Sequence, residues 1–112
     1  MQLYKDKGLR RSSAHRNEKI FINMDRVEQL RTFIQDNPND SFLQHALALE
    51  YVKLGDDATA RQLFEELLAA DAGYVGSYYH LGKLYERTGD EQKAIAWYEK
   101  GMQVAKEKGE QH

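Results

Sequence analysis

Residues 41–68 and 75–102 of this 112-residue chain resemble each other at a fixed offset of 34 positions. The alignment contains six identities, where ordinary composition gives about two by chance. A period of this length predicts stacked units, each of which buries its apolar face against its neighbours. The identical pairs are Leu47/Leu81, Tyr51/Tyr85, Gly55/Gly89, Asp56/Asp90, Ala60/Ala94 and Glu65/Glu99.

Each unit has the pattern of two helices joined by a tight turn. An apolar stripe at helical spacing leads to Gly-Asp, where glycine supplies the left-handed residue that ends one helix and aspartate caps the next. A second stripe follows, and small residues in both stripes allow the two backbones to approach closely. The predicted repeat-core residues are Leu47, Ala48, Tyr51, Ala60 and Phe64 in the first unit, and Leu81, Gly82, Tyr85, Ala94 and Tyr98 in the second.

These residues resemble the tetratricopeptide repeat, whose pattern is aromatic-x₂-Leu-Gly-x₂-Tyr followed by Ala-x₃-Phe in a period of 34 residues. The second unit follows this pattern from Tyr78 to Tyr98, whereas the first has Gln44 at the opening aromatic position. Ala72 and Lys106 stand where the family has a proline at the end of each unit. The resemblance implies an all-α fold, a right-handed α-solenoid of antiparallel helix pairs.

The repeat phase also extends backwards, because Pro38 lies 34 residues before Ala72. Residues 25–36 are then in phase with the second helix of a unit, and we expect them to form an N-terminal capping helix. Its inward residues are expected to be Val27, Leu30, Phe33 and Ile34. The repeat domain is predicted to span 24–112, with repeat one at 41–74 and repeat two at 75–108. Five helices are predicted, at about 25–36, 41–54, 57–70, 75–88 and 91–107.

Residues 1–23 differ from the rest of the chain in composition, with six basic and two acidic side chains. Residues 1–19 contain few large apolar groups and bury too little surface to offset the entropy of ordering. We therefore expect 1–23 to be a disordered tail, or a leader ahead of a start at Met24. An alternative is a basic arm that contacts an acidic surface.

Composition and motifs argue against several classes of function. The sequence has no cysteine, which excludes disulfide frameworks and thiol nucleophiles. A net charge of −2 gives no basic footprint for nucleic acid, and no apolar run approaches the roughly 20 residues that cross a bilayer. His45, His80 and Glu86 lack the tight spacing of metal ligands. We predict a cytoplasmic protein that is not an enzyme, with no cofactor, no metal, no nucleic acid and no membrane insertion.

The resemblance also implies where a partner binds, because the family uses a concave groove lined by the first helix of each unit. Helical spacing places the corresponding residues away from the apolar stripe. We expect a partner peptide or helix with an apolar anchor and an acidic neighbour that pairs with Lys83 and Arg87. The alternative is that the lysines and arginine only solubilise the surface. The expected groove residues are Phe42, His45, Leu49, Val52, Lys53, Tyr79, Lys83, Glu86 and Arg87.

The last predicted helix, 91–107, is apolar on more than one side, and no further helix is predicted after it. Exposed apolar surface of this kind often marks an interface. The alternative function is therefore structural self-assembly, in which a homodimer forms through the C-terminal edge. The expected edge residues are Ile95, Trp97 and Met102.

Overall fold

The computed structural model describes the backbone of residues 18–110 and the side chains of Asp25 to Gly109. Within that range the chain forms helices and no strand, and each helix packs against the next in chain order. The predicted all-α solenoid of antiparallel helix pairs, with one additional N-terminal helix, is confirmed. The helices are α1 (Glu18–Asp36), α2 (Ser41–Leu54), α3 (Asp57–Ala70), α4 (Val75–Arg87) and α5 (Glu91–Glu110).

The start of α1 is the main difference from the predicted boundaries. The helix begins at Glu18, ahead of the predicted start at residue 25, so 18–23 are helical where a disordered tail was expected. Residues 18–36 contain neither glycine nor proline, so no helix breaker separates this stretch from the capping helix. Residues 1–17, the rest of the predicted tail, lie outside the described residues.

The turns inside both repeats use the Gly-Asp pair as predicted. Gly55 and Gly89 have φ angles of 83° and 90°, a left-handed conformation that side chains disfavour. Asp56 and Asp90 each accept a hydrogen bond from the backbone N–H three residues later, at 3.1 Å in both turns. These caps end one helix and start the next at the same point of each repeat.

The core runs continuously between α2, α3, α4 and α5. Eight of the ten predicted repeat-core residues are buried. The other two, Tyr51 and Tyr98, are half-buried because their hydroxyl groups reach polar partners near the surface. The Tyr51 hydroxyl accepts a hydrogen bond from Arg31 at 2.7 Å, and the Tyr98 hydroxyl donates one to Glu86 at 2.9 Å.

A smaller apolar cluster holds α1 against α2. Val27 and Leu30 are buried there against Leu47, and Ile34 packs at its margin. Phe33 was expected to face inward, but it is 53% exposed. In phase with the repeats, α1 takes the place of a second helix, and the described residues contain no first helix to cover Phe33.

Candidate functional site

The first helices of the two repeats, α2 and α4, meet through a pair of histidines. The ring centroids of His45 and His80 are 5.2 Å apart, and His45 Nδ1 lies 2.8 Å from the Ser77 hydroxyl oxygen. Burial lowers the pKa of both imidazoles, and the charge of His80 lowers that of His45 further. The two helices therefore share one surface, with both histidines favoured in the neutral form.

Two aromatic side chains stand out from this surface. Phe42 on α2 is 67% exposed, and Tyr79 on α4 is 56% exposed. Leu49 and Val52 are half-buried between solvent and the main core. The α2 half of the groove is therefore apolar, as the sequence suggested, but its most accessible member is Phe42.

The α4 half of the groove is polar. Lys83 Nζ lies 6.0 Å from the centroid of the Tyr79 ring and 3.9 Å from Glu86 Oε1. Burial raises the pKa of Tyr98 to about 12, with help from its hydrogen bond to Glu86. Because Lys83 and Glu86 are both more than half exposed, their attraction is weak and leaves Lys83 available to an acidic partner.

Arg87 does not join Lys83 in a basic pair, and that expectation needs correction. Its guanidinium group donates hydrogen bonds to both carboxylate oxygens of Asp57 on α3, at 3.1 Å and 2.5 Å. This pairing raises the pKa of Arg87. Asp57 lies 30 residues earlier in the chain, so no local pattern in the sequence indicates the contact.

Lys53 also forms an ion pair within the protein, and its partner is a residue that the sequence gave no reason to select. Its Nζ lies 3.3 Å from Glu50 Oε2, which also accepts from Arg26 Nε of α1 at 3.2 Å. The Glu50 side chain is 3% exposed, so this carboxylate links α1 to α2 at the end of the groove. In the sequence, Glu50 stands between Leu49 and Tyr51, and this pattern does not show whether its carboxylate is buried or exposed.

The family model of the tetratricopeptide repeat matches residues 43–74 and 75–108. This chain belongs to the tetratricopeptide repeat family. No curated protein gives a significant match. Repeat one and repeat two therefore correspond to the α2–α3 and α4–α5 pairs.

Solved structures of tetratricopeptide repeat proteins have the same arrangement of helices. The crystal structure of MamA superposes with a TM-score of 0.75 at 21% identity, covering 84% of this chain and 55% of MamA. This chain thus spans about half of the MamA structure, and the likeness concerns the fold alone. A tetratricopeptide repeat domain protein from Salinibacter ruber is 50% identical, with a TM-score of 0.60, covering 62% of this chain and 78% of that one.

The expected edge residues on the last repeat helix, α5, do not lie on one face. Ile95 and Met102 are 54% and 65% exposed, and their spacing of seven places them on the same side of the helix. Trp97 is half-buried and packs against Tyr78 with ring centroids 5.9 Å apart. Trp97 therefore belongs to the packing of repeat two and not to the exposed edge.

The described residues contain neither a metal-binding cluster nor a membrane-spanning helix. Among residues 18–110, no group of three or more His, Asp or Glu side chains is placed to hold a metal ion. No helix in the same range combines the length and apolar character needed to cross a bilayer.

Proposed function

We propose that this chain is a non-enzymatic interaction module that binds a segment of a partner protein in the groove between α2 and α4. Tetratricopeptide repeats in general mediate protein–protein interaction or scaffolding. The observation that supports this site is the exposure of Phe42 and Tyr79, 67% and 56%, on neighbouring first helices. Exposed aromatic residues beside a polar rim are typical of binding surfaces.

Apolar contacts are expected to supply most of the affinity. Burying a side chain the size of phenylalanine contributes about 1.5–3 kcal/mol. An exposed ion pair contributes about 1 kcal/mol or less, so Lys83 is expected to favour acidic neighbours without dominating affinity. Selected partners should therefore present an apolar anchor for Phe42 and Tyr79, with an acidic residue near Lys83.

Selection from a random peptide library displayed on phage tests this proposal. Peptides that bind the protein are expected to lose at least about tenfold in affinity against the double variant Phe42→Ser with Tyr79→Ser. Phe33→Ser is the matched control, because Phe33 is an exposed phenylalanine on α1, outside the groove. Leu49 is left unchanged because it packs against the core, so replacing it would perturb the fold.

Equal affinity for the groove variant and the wild type would contradict the proposal, provided that both give the same helical circular dichroism. An equal loss with Phe33→Ser would also contradict it, because a surface far from the groove would then contribute as much as the groove itself.

The second candidate function is homodimer formation through α5. The exposure of Ile95 and Met102 on one face of the last helix favours it. Sedimentation velocity over a concentration series is expected to show a dimer that Met102→Lys dissociates. A monomer at every concentration would exclude this candidate.

The cytoplasmic location and the absence of nucleic-acid binding remain predictions from the sequence.

A further inference from the structure

A second concavity, here called the first-repeat cleft, lies on the side of α2 opposite the groove. Its volume is about 560 Å³. It is bounded by α1, α3 and the loop between α1 and α2, with part of α2 as its floor. Its apolar surface includes Ile34, Leu47 and Leu63, and polar groups at its margin include Gln44 and Glu66.

In repeat two, Trp97 lines two separate openings. One has a volume of about 390 Å³ and extends towards Tyr85 and Lys93. The other, which corresponds to the first-repeat cleft, has a volume of about 180 Å³. Each of its lining residues lies 34 positions after a residue that lines the first-repeat cleft. The two concavities are therefore the same site in successive repeats. The pairs that matter for the argument are Ile34/Leu68, Gln44/Tyr78, Leu63/Trp97 and Glu66/Lys100.

Two aromatic rings occupy part of the site in repeat two. Tyr78 packs beside Trp97, and its hydroxyl donates a hydrogen bond to the Ala72 carbonyl at 2.7 Å. Gln44 makes the equivalent bond in repeat one, from Nε2 to the Pro38 carbonyl at 2.6 Å. Glutamine thus keeps the hydrogen bond of the tyrosine without the volume of its ring.

Part of the lost volume is recovered by a compensating pair. Gly101 contacts Tyr78 so closely that a methyl group at residue 101 would lie 2.6 Å from Tyr78 Cβ. Repeat one has Leu67 at the position of Gly101, and Leu67 is buried beside Gln44. The floor near α2 is therefore occupied, and the open space lies towards Leu63, where repeat two has an indole.

We propose that the first-repeat cleft binds one tyrosine or tryptophan side chain of a partner peptide. In repeat two, the part of the site that is open here holds the indole of Trp97, so a space of this shape accommodates an aromatic side chain. The two charged positions at the margin are exchanged between the repeats, because Arg31 takes the place of Glu65 and Glu66 takes the place of Lys100. An exposed carboxylate at this position offers an acceptor to a phenol O–H or an indole N–H, which phenylalanine lacks. This inference does not rest on the α2–α4 groove.

Titration with N-acetyl-tryptophanamide and N-acetyl-tyrosinamide, followed by NMR of the methyl groups, tests the proposal. The largest shifts are expected at Ile34, Leu47 and Leu63. N-acetyl-phenylalaninamide is expected to bind about two- to tenfold more weakly, because it cannot donate to Glu66. Binding of the phenylalanine probe with equal affinity would refute the required hydrogen bond.

Leu63→Trp supplies the ring that repeat two has at this position, so it is expected to remove the shifts caused by the probes. Ala70→Leu narrows the same cleft from the end of α3 and serves as an independent second variant. Ala58→Leu, an exposed position at the start of α3 and outside the cleft, is the matched control for Ala70→Leu and should leave binding of the probes unchanged. Circular dichroism establishes that each variant is folded.

Besides equal binding of the phenylalanine probe, three results would overturn the proposal. The first is unchanged binding of the probes in both variants that fill the cleft. The second is a lack of shifts at the cleft with every probe up to its solubility limit. The third is a dependence of the same methyl shifts on protein concentration without a probe, which would identify the occupant as a second copy of this chain.

Discussion

Replacing Gly101 by alanine is expected to destabilise the protein, although alanine is the better helix former by about 1 kcal/mol. A methyl group there would lie 2.6 Å from Tyr78 Cβ and 3.2 Å from Tyr78 Cγ. Tyr78 is 1% exposed, and its hydroxyl is bound to the Ala72 carbonyl. Because Tyr78 Cβ is fixed to the backbone of α4, a change of rotamer cannot relieve this contact. Overpacking of this kind costs about 1–3 kcal/mol, which cancels or exceeds the gain in helix propensity.

Gly76→Ala is the matched control for this substitution. Gly76 is exposed in α4, and the nearest atom to an added methyl group is His45 Cε1 at 3.9 Å, an ordinary contact. The control is expected to gain up to about 1 kcal/mol. The two variants should therefore differ by about 1–3 kcal/mol, or several degrees in Tm. Urea unfolding measures the difference. If Gly101→Ala is as stable as Gly76→Ala, or more stable, the close packing of α5 on Tyr78 is refuted.

Two further predictions concern charged and titratable groups. Because the pKa values of His45 and His80 are lowered in the folded state, the unfolded chain binds more protons just below the ordinary value of 6.5. Stability is expected to fall as the pH drops below about 6.5, and His80→Gln should reduce that slope in urea unfolding at pH 7.5 and 5.5. If His80→Gln has the same dependence of stability on pH as the wild type, the assignment of that dependence to the histidine pair is wrong. Arg87→Gln removes an exposed pair with Asp57 and should cost about 1 kcal/mol or less, without changing the affinity for groove-binding peptides. A loss of peptide affinity without a loss of stability would show that Arg87 contributes to peptide binding in the groove.

Most of the fold follows from the 34-residue repeat, because its key residues act locally. Gly55 and Gly89 end helices through their own backbone conformation, and the following aspartates cap the next helix from within the same turn. Such local signals can be recognised from a single sequence. The beginning of α1 was missed because the absence of a helix breaker between residues 18 and 25 is a weaker signal than a cap.

The candidate sites were less accessible from the sequence because they depend on contacts between distant residues. Periodicity placed Phe42 and Tyr79 on one surface, but it gave no indication that Arg87 binds Asp57. The replacement of an aromatic residue by Gln44 was visible as a departure from the family pattern. That this departure opens a cleft depends on Leu67 and Leu63, whose packing against α2 becomes apparent only in three dimensions.

The central claim, that the α2–α4 groove binds a partner segment, is tested most directly by NMR mapping of a peptide selected from the library. The largest shifts of the backbone amides are expected around Phe42 and Tyr79, and the double serine variant should abolish them while Phe33→Ser retains them. Shifts centred on the first-repeat cleft or on α5, with the groove unaffected, would contradict the proposed function.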